Sequence, residues 1–489
     1  MPDTGVAAER PETFTAPVGI PGETVIPITL EDAVQLALAS NLGLRSESFN
    51  RDIAREAVII ANAEFEPLFQ LSASQAESED PITANTTKSN STTLTRGNAS
   101  ISQRVITGAE VSLGTTMQRI GQAGGDARVP LVFDSSASLS VRQPLLAGAG
   151  FRVNRAARDR ARIGVERSEL TYTGQALDIV RDTELAFFEL ASAHYALDVE
   201  RSGLSTAQQF LEENEARRSA GIATELDVMQ ARVSVANRRS SIITAEQRVR
   251  DATDRLLALF GRRDFSGILQ PTGYVFAPPA SLSVESAYGR AAENDTQLRS
   301  ERGLLRQLEL DALVARNNKR PRLDLEGVYT LSGTDFQSLK GALDRIPEGE
   351  EFNWQAGVSL SLPWGMNEAR ARARAADTYV AQQQLRLEEL EQTLMVSVRA
   401  AIRAVEADKQ TIDINALATE LSQREFELEK AKFDSGLSTS RLVVEAQQRW
   451  DEARVREIQS RVQLRQDLAR LRRLEGASLQ FYGVDPLDR

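Results

Sequence analysis

The sequence has 489 residues, a formal net charge of −11 and an aromatic content of 6%, a composition typical of long helices rather than of several compact cores. Acidic and basic residues are interspersed without a basic patch, which argues against a nucleic-acid-binding protein. The absence of cysteine excludes disulfides and thiolate metal sites, and a single histidine, His194, leaves little for metal binding or acid–base catalysis. The composition therefore favours a non-enzymatic protein without a cofactor, suited to an oxidising compartment.

The N-terminal segment, residues 1–27, is rich in proline, glycine and threonine and is expected to be extended. It contains no apolar stretch of the kind found in signal peptides, and the chain contains no run of about 18 apolar residues. Neither a signal peptide nor a transmembrane helix is therefore expected. The first helix is predicted to begin at Thr29 and to end before Pro67.

A different pattern occupies residues 68–146, where serine, threonine and glycine are frequent and apolar residues alternate with polar ones. The segments 99–105, 109–117 and 136–144 each place apolar side chains on one face, which predicts strands. Thr107 and Gly108 stand where a tight hairpin would turn. Polar loops are expected at 78–90 and 121–130.

Long helices are predicted at about 152–218 and 224–260, with a turn at Gly221 between them. Residues 262–281 form an expected linker, after which the pattern restarts. The second part of the chain is predicted to contain a helix from residue 282, strands within 322–363, helices at about 368–433 and 439–475 with a turn at Gly436, and a C-terminal tail at 476–489.

The restart predicts an internal tandem duplication, with a first repeat at 28–261 and a second at 282–475. Residues 28–47 align with 282–301 at a fixed shift that also brings Pro67 onto Pro321. Helices of about 66 residues would each extend roughly 100 Å, more than a compact domain. Their apolar positions are spaced by three, four or seven, as in nearly parallel packed helices: Ile163, Leu170, Leu177, Val180 and Phe187, then Leu387, Leu390, Leu394, Val398 and Ile402.

The strands point to a membrane barrel, because they have the length and alternation of strands that cross a bilayer. The chain supplies four strands clearly, and six if the hairpin around Thr107–Gly108 contributes. Single-chain bacterial barrels begin at about eight strands, and an open sheet edge cannot lie in lipid. Several copies must then close one barrel, with twelve or eighteen strands for three copies. The alternative is a non-channel periplasmic coiled-coil scaffold protein, in which amphipathic strands have no use.

Residues 28–475 resemble the TolC-like outer-membrane efflux protein family (outer membrane factors). The resemblance is carried by "TLEDAVQLALASN", "QPLLAGAG", "LPWGMNEARARAR", "SAGIATELDVMQA" and "DSGLSTSRLVVEA". It implies an α+β membrane protein: a homotrimeric transmembrane β-barrel in the outer membrane of a Gram-negative cell, continued by a long α-helical coiled-coil tunnel in the periplasm. It also implies the exit duct of a tripartite efflux pump or type I secretion system, docked to a periplasmic adaptor (membrane fusion protein) and through it to an inner-membrane transporter.

The two glycine turns are the candidate functional site. Glycine supplies the backbone freedom that each turn needs, and a threonine can cap each returning helix. The resemblance makes these residues adaptor-docking turns: Gly221, Ile222, Thr224, Gly436, Leu437 and Thr439. It also makes acids just past the turns a periplasmic gate, with Asp227 and Glu445 as the candidate acids and the nearby Arg441 as a further gate candidate.

The second half departs from the family pattern, because Leu442 stands where the first half has Asp227. The gate is therefore expected to be weaker, or to be held by arginine–acid pairs. The alternative is that these residues only end and cap the helices. His194, in the middle of a long helix, is expected to be a packing or wall residue rather than a ligand.

Overall fold

The computed structural model describes residues 24–81, 89–123, 131–273 and 282–484. The first part of the chain contains β1 (Val25–Ile28), α1 (Leu30–Ser40), α2 (Leu42–Ala63), β2 (Leu68–Pro81), β3 (Ser89–Arg104), β4 (Glu110–Ala123), β5 (Val132–Pro144), α3 (Phe151–Ser219) and α4 (Glu225–Leu259). The second part contains β6 (Ile268–Pro271), α5 (Val284–Asn294), α6 (Thr296–Asn318), β7 (Arg322–Asp335), α7 (Leu339–Arg345), β8 (Glu351–Ser361), α8 (Asn367–Asp434), α9 (Ser440–Leu474) and α10 (Ser478–Phe481).

The four long helices confirm the sequence predictions to within one residue at each end. Helices α3 and α8 have 69 and 68 residues, and α4 and α9 have 35 residues each. Helix α1 begins directly after Thr29, whose hydroxyl accepts a hydrogen bond from the Asp32 amide as an N-cap. The two halves therefore present helices of matching length in the same order.

The chain divides into two compact units. The first lies within Met1–Arg51, Glu169–Ser300 and Leu387–Arg489, and the second within Asp52–Ser168 and Glu301–Arg386. Because these ranges alternate along the sequence, each unit is built from both halves of the chain.

The first unit is a helical assembly with a small parallel sheet, in which Val25 of β1 lies opposite Ile268 of β6. Its main apolar core includes Val34, Val180, Phe187, Leu190, Val249 and Leu256, and a second core includes Leu298, Val398, Ile402 and Leu471. Buried Leu394, Val398 and Ile402 recur every four residues, which confirms the predicted packing face of α8. No helix in the described ranges is long and apolar enough to cross a bilayer.

Two segments of this unit contain regular structure that the sequence did not predict. One is the expected linker, where the expectation of no regular element was wrong, and the other is the C-terminal tail. Ile268 and Leu269, in the expected linker, are buried in β6, because β1 supplies backbone hydrogen-bond partners from a distant part of the chain. In the C-terminal tail, Leu479 of α10 is part of the main core, and the Tyr482 hydroxyl donates to the buried Glu184 carboxylate. Local composition carries no sign of either long-range contact.

The second unit contains a six-stranded antiparallel sheet in the order β2-β3-β4-β5-β7-β8. Thr107 and Gly108 lie in the turn between β3 and β4, with Gly108 at a φ of 92°. Strands β5 and β7 come from different halves and pair with Leu139 opposite Tyr329. The described residues thus supply six strands to this sheet, where the sequence left four or six open. In the described sheet, β2 and β8 are the outer strands.

The expected polar loops are shorter than predicted. Residues 78–81 belong to β2, 89–90 to β3 and 121–123 to β4, whereas 82–88 and 124–130 lie outside the described residues. Serine, threonine and glutamine continue a strand wherever a neighbouring strand pairs with its backbone, so polarity alone does not end it. For the same reason the sequence did not single out β2 as a separate strand.

The sheet has one apolar and one polar face. Register places the following side chains on one face: Phe69, Leu71, Ile101, Leu113, Leu139, Val141, Leu325, Tyr329, Leu331, Phe352, Trp354, Val358 and Leu360. The opposite face carries polar groups joined by hydrogen bonds, including Asn98 to Ser72 at 3.2 Å and Arg142 to Asp324 at 2.6 Å. Most of the apolar side chains are exposed in a single chain, so, apart from the part next to α7, this face lacks a covering layer among the described residues.

Candidate functional site

Both helical turns close with the same backbone motif. After α3, the Ile222 amide donates to the Arg217 carbonyl and the Gly221 amide to the Arg218 carbonyl, both at 2.9 Å. Gly221 has a φ of 74°, in the left-handed region that favours glycine.

The turn after α8 repeats this arrangement. The Leu437 amide donates to the Lys432 carbonyl at 2.8 Å and the Gly436 amide to the Phe433 carbonyl at 3.0 Å. Gly436 has a φ of 77°. Each glycine therefore ends one long helix and reverses the chain into the next, at the positions that the sequence predicts.

The first returning helix begins with a complete capping box. The Thr224 hydroxyl accepts a hydrogen bond from the Asp227 amide at 3.2 Å, and the Asp227 carboxylate accepts from the Thr224 amide at 2.9 Å and from its hydroxyl at 2.6 Å. Such caps contribute about 1 kcal/mol to helix stability. The Asp227 carboxylate is thus bonded within its own helix end, as the capping alternative expects.

The second returning helix lacks this cap, and the expectation that Thr439 caps it was wrong. Thr439 makes no side-chain hydrogen bond to the helix, and the Leu442 amide donates instead to the Thr439 carbonyl at 3.1 Å. Leu442 also replaces the acid that would supply the reciprocal bond of a capping box. The neighbouring serines bond elsewhere: Ser438 donates to Glu429, and Ser440 donates to Asn214 at 3.5 Å. The two turns therefore share a backbone but differ in how their side chains are fixed.

The acid beyond the second turn is paired with an arginine. Arg441 Nε lies 3.7 Å from Glu445 Oε1, one helical turn away, and both side chains are substantially exposed. Within the described residues, neither side chain bonds to Asp227. One chain thus presents its gate candidates as two separate local pairs, Thr224–Asp227 and Arg441–Glu445.

Arg217 and Phe433 join the two turns, and sequence reasoning missed both. The Arg217 guanidinium lies 4.3 Å from the centre of the Phe433 ring and donates to the Phe433 carbonyl at 3.2 Å. It also pairs with Glu213 at 3.1 Å and with Asp434 at 3.5 Å. The signal available in the sequence is position, since both residues stand in the last turn of a long helix.

A small apolar core lies behind this arginine. Phe210, Ala231, Phe433 and Val443 are buried together, and the rings of Phe210 and Phe433 lie 5.2 Å apart. These residues come from α3, α4, α8 and α9. The core therefore fixes both hairpins to each other directly beneath the turns.

The tips of the turns present aliphatic side chains to solvent. Ile222 and Leu437, at equivalent positions, are 76% and 81% exposed. On α4, Leu226 and Met229 are also exposed. Neighbouring exposed apolar side chains of this kind are typical of a surface that contacts another protein.

His194 lies away from the turns, in α3. Its ring is buried, its Nε2 lies 2.9 Å from the Leu269 carbonyl oxygen, and burial lowers its pKa. These contacts agree with a packing residue. Among the described residues, no group of three or more His, Asp or Glu side chains could hold a metal ion.

Most of the chain matches known outer-membrane proteins in sequence. The family model described as "Outer membrane efflux protein" matches residues 33–262 and 287–477. "Outer membrane protein TolC" of Vibrio cholerae is 23% identical over 324 residues, which cover 64% of this chain and 72% of that protein.

Solved structures share the fold. The CmeC outer membrane channel of Campylobacter jejuni has a TM-score of 0.69 at 17% identity, over 94% of this chain and 88% of that chain. A membrane protein from Pseudomonas aeruginosa has a TM-score of 0.69 at 19% identity, over 96% of both chains. Because the family model covers most of both halves, the chain belongs to the outer membrane efflux protein family.

Proposed function

We propose that this protein is the outer-membrane exit duct of a tripartite efflux pump or a type I secretion system. Family membership makes it an outer-membrane efflux channel protein, with its helical part in the periplasm. The single observation that carries a duct, rather than a periplasmic scaffold, is the sheet face on which exposed apolar side chains from all six strands lie together. A soluble rod would leave that face in water.

Three copies would close the barrel. A bilayer cannot satisfy open edges, so β2 and β8 must find partners, and six strands are too few for a bacterial barrel of one chain. Strands alternate in direction across the sheet, so β2 of one copy can pair antiparallel with β8 of the next. A homotrimer, as the family resemblance implies, would have eighteen strands and twelve long helices. The matching helix lengths of the two halves support the tandem duplication.

The turns would dock the periplasmic adaptor, which in turn contacts the inner-membrane transporter. Three copies bring six turns together, each presenting one exposed aliphatic side chain, Ile222 or Leu437. The core beneath them holds these side chains on ordered backbone, which reduces the entropy lost on binding.

The docking proposal is tested by cross-linking, for which the absence of cysteine is an advantage. Ile222→Cys and Leu437→Cys, carrying a photoactivatable cross-linker, should capture the adaptor in cells. Ile243→Cys is the matched control, since Ile243 is an exposed aliphatic residue in the middle of α4. Equal capture from all three positions would remove the turns from the docking site.

The acids beyond the turns would form the periplasmic gate. Asp227 and Glu445 would place six carboxylates at the mouth of a trimer, with Arg441 partly neutralising the second set. Rings of like charge select ions of the opposite sign, so the closed mouth should favour cations.

Channel and scaffold are separated by conductance. Purified protein should insert into planar bilayers and conduct ions, whereas a coiled-coil scaffold extracted without detergent and inactive in bilayers would overturn the duct. We propose no enzymatic activity, since the single histidine is bonded within the protein core.

A further inference from the structure

A short helix on the apolar face of the sheet was not expected from the sequence. Helix α7 lies in the connection between β7 and β8 and contacts β4, β5 and β7. Strand β7 follows α6, and β8 leads into α8, so the β7–β8 connection lies at the strand ends opposite to those that join the helices. The helix is therefore placed at the outer end of the proposed barrel.

Glycine and small side chains determine which face α7 covers. A Cβ on Gly333 would overlap the Ala342 carbonyl oxygen, and Gly333 shares its face with Tyr329 and Leu331. Ser135, opposite Gly333, is 2% exposed, and Ala342 is fully buried. Because alternate residues of a strand point to opposite faces, α7 packs on the apolar face and not on the polar one.

Local hydrogen bonds hold α7 in this place. Asp335 accepts hydrogen bonds from the amides of Gln337 and Ser338, and the Ser338 hydroxyl accepts one from the Gly341 amide at 3.0 Å. At the other end, Arg345 donates to the Thr334 carbonyl. The helix is thus an ordered part of the sheet's outer face rather than a loose loop.

The depth of α7 follows from the strand that it covers. On β7 the apolar row runs from Leu323 to Leu331, which is about 26 Å along the strand and about 20 Å along the normal at a barrel tilt near 40°. Gly333 follows one step beyond this row. An apolar band in such barrels is about 25 Å tall, so α7 falls at its upper boundary.

The exposed side chains of this segment fit that boundary. Phe336 and Leu339 are apolar and exposed, while Lys340 and Asp344 supply charged groups on the same short segment. Mixed apolar and charged surfaces of this kind lie at the level of lipid headgroups. The surface is continuous with the apolar sheet face that the proposed barrel turns toward lipid.

We infer that α7 and the residues just before it form a membrane-interface anchor, which inserts Phe336 and Leu339 into the boundary between headgroups and acyl chains of the outer leaflet. The inference rests on the proposed barrel and adds to it a lipid-binding element in the β7–β8 connection. The exposed side of α7 contacts lipid rather than a neighbouring chain, because α7 covers strands in the middle of the described sheet and not its edges.

Single-cysteine fluorescence tests this inference in the full-length protein, which has no cysteine of its own. An environment-sensitive fluorophore is placed at Phe336→Cys or Leu339→Cys, and the protein is reconstituted into phosphatidylcholine vesicles. One set of vesicles carries bromine near the headgroup and another near the chain end. Val358→Cys serves as the control for the apolar face and Gln355→Cys for the polar face.

The labels at positions 336 and 339, called the α7 labels, should be quenched by bromine near the headgroup and should resist quenching by aqueous iodide. The extent of this quenching should match that of the Val358 label by bromine near the chain end. Quenching by iodide as strong as at Gln355, or by neither quencher, overturns the inference. The controls separate the two proposals. If Val358 is quenched by lipid and the α7 labels are not, only the anchor fails; if Val358 is not quenched, the barrel itself fails.

Discussion

A charge on the apolar face of β8 should prevent assembly, and the structure supplies adjacent positions with opposite outcomes. Ala356 lies midway along the apolar row from Phe352 to Leu360, whereas Gln355 faces the polar side. About 13 Å of strand separates Ala356 from either end of the row, so an arginine there cannot easily reach the headgroups. We therefore compare Ala356→Arg with Gln355→Arg.

The expected cost follows from measured barrel substitutions. Arginine near the bilayer midplane costs about 2–4 kcal/mol, which is a factor of about 30 to 700 in the folding equilibrium of each chain. Three copies in one barrel would raise the cost to about 6–12 kcal/mol. Gln355→Arg should cost much less, since its side chain would enter a wet lumen, and Ala356→Leu should be neutral.

The assay is the yield of heat-labile oligomer in the outer-membrane fraction, followed by urea titration of protein refolded into vesicles. Ala356→Arg should lose the oligomer while Gln355→Arg and Ala356→Leu keep it. Equal loss from both arginine variants would mean that the assignment of faces is wrong. Wild-type yield from Ala356→Arg would mean that this face does not meet lipid.

Three further predictions concern the helical unit. Asp227→Asn with Glu445→Gln removes the gate charges while the Asn oxygen can still accept from the Thr224 amide; conductance should rise and cation selectivity should fall, and unchanged values would leave Asp227 with the capping role alone. Arg217→Met should weaken the turns by about 1–3 kcal/mol and speed proteolysis there, because it removes the contacts of Arg217 with Phe433 and its carbonyl. Arg218→Met is the control, since it removes only a half-exposed pair with Glu225. Equal resistance of the two variants to protease would contradict the role of Arg217 in joining the turns. Burial, together with the neighbouring Asp467 carboxyl, raises the pKa of Asp408 to about 6. The stability that the protonated Asp408 contributes is therefore complete below about pH 4 and is lost as the pH rises through about 6. Asp408→Asn should gain thermal stability relative to wild type between about pH 4 and 7, and a difference that stays constant with pH would refute the raised pKa.

The helices and both turns were predictable because their signals are local. Apolar residues at helical spacing set the packing faces. Gly221 and Gly436 adopt the left-handed conformation that ends each long helix, and glycine is the residue that adopts it most easily. The capping box of Thr224 and Asp227 is also a local signal, since it lies within four consecutive residues.

The features that the sequence did not reveal depend on distant partners. Strand β6 exists because β1 pairs with it, and the Arg217–Phe433 contact joins residues more than 200 positions apart. Helix α7 is held by the sheet beneath Gly333 rather than by its own seven residues, which are too few to be stable alone. The strand number stayed open for the same reason, since polar residues extend β2, β3 and β4 only when those strands pair.

The central claim is that three copies close one barrel by pairing β2 of each chain with β8 of the next. An electron cryomicroscopy map of the detergent-extracted protein tests it most directly. The account predicts a threefold-symmetric particle whose membrane part has eighteen strands, six from each chain, with β2 beside β8 at every junction. A stable monomer, or a barrel of twelve strands with one hairpin of each chain outside the wall, would contradict it.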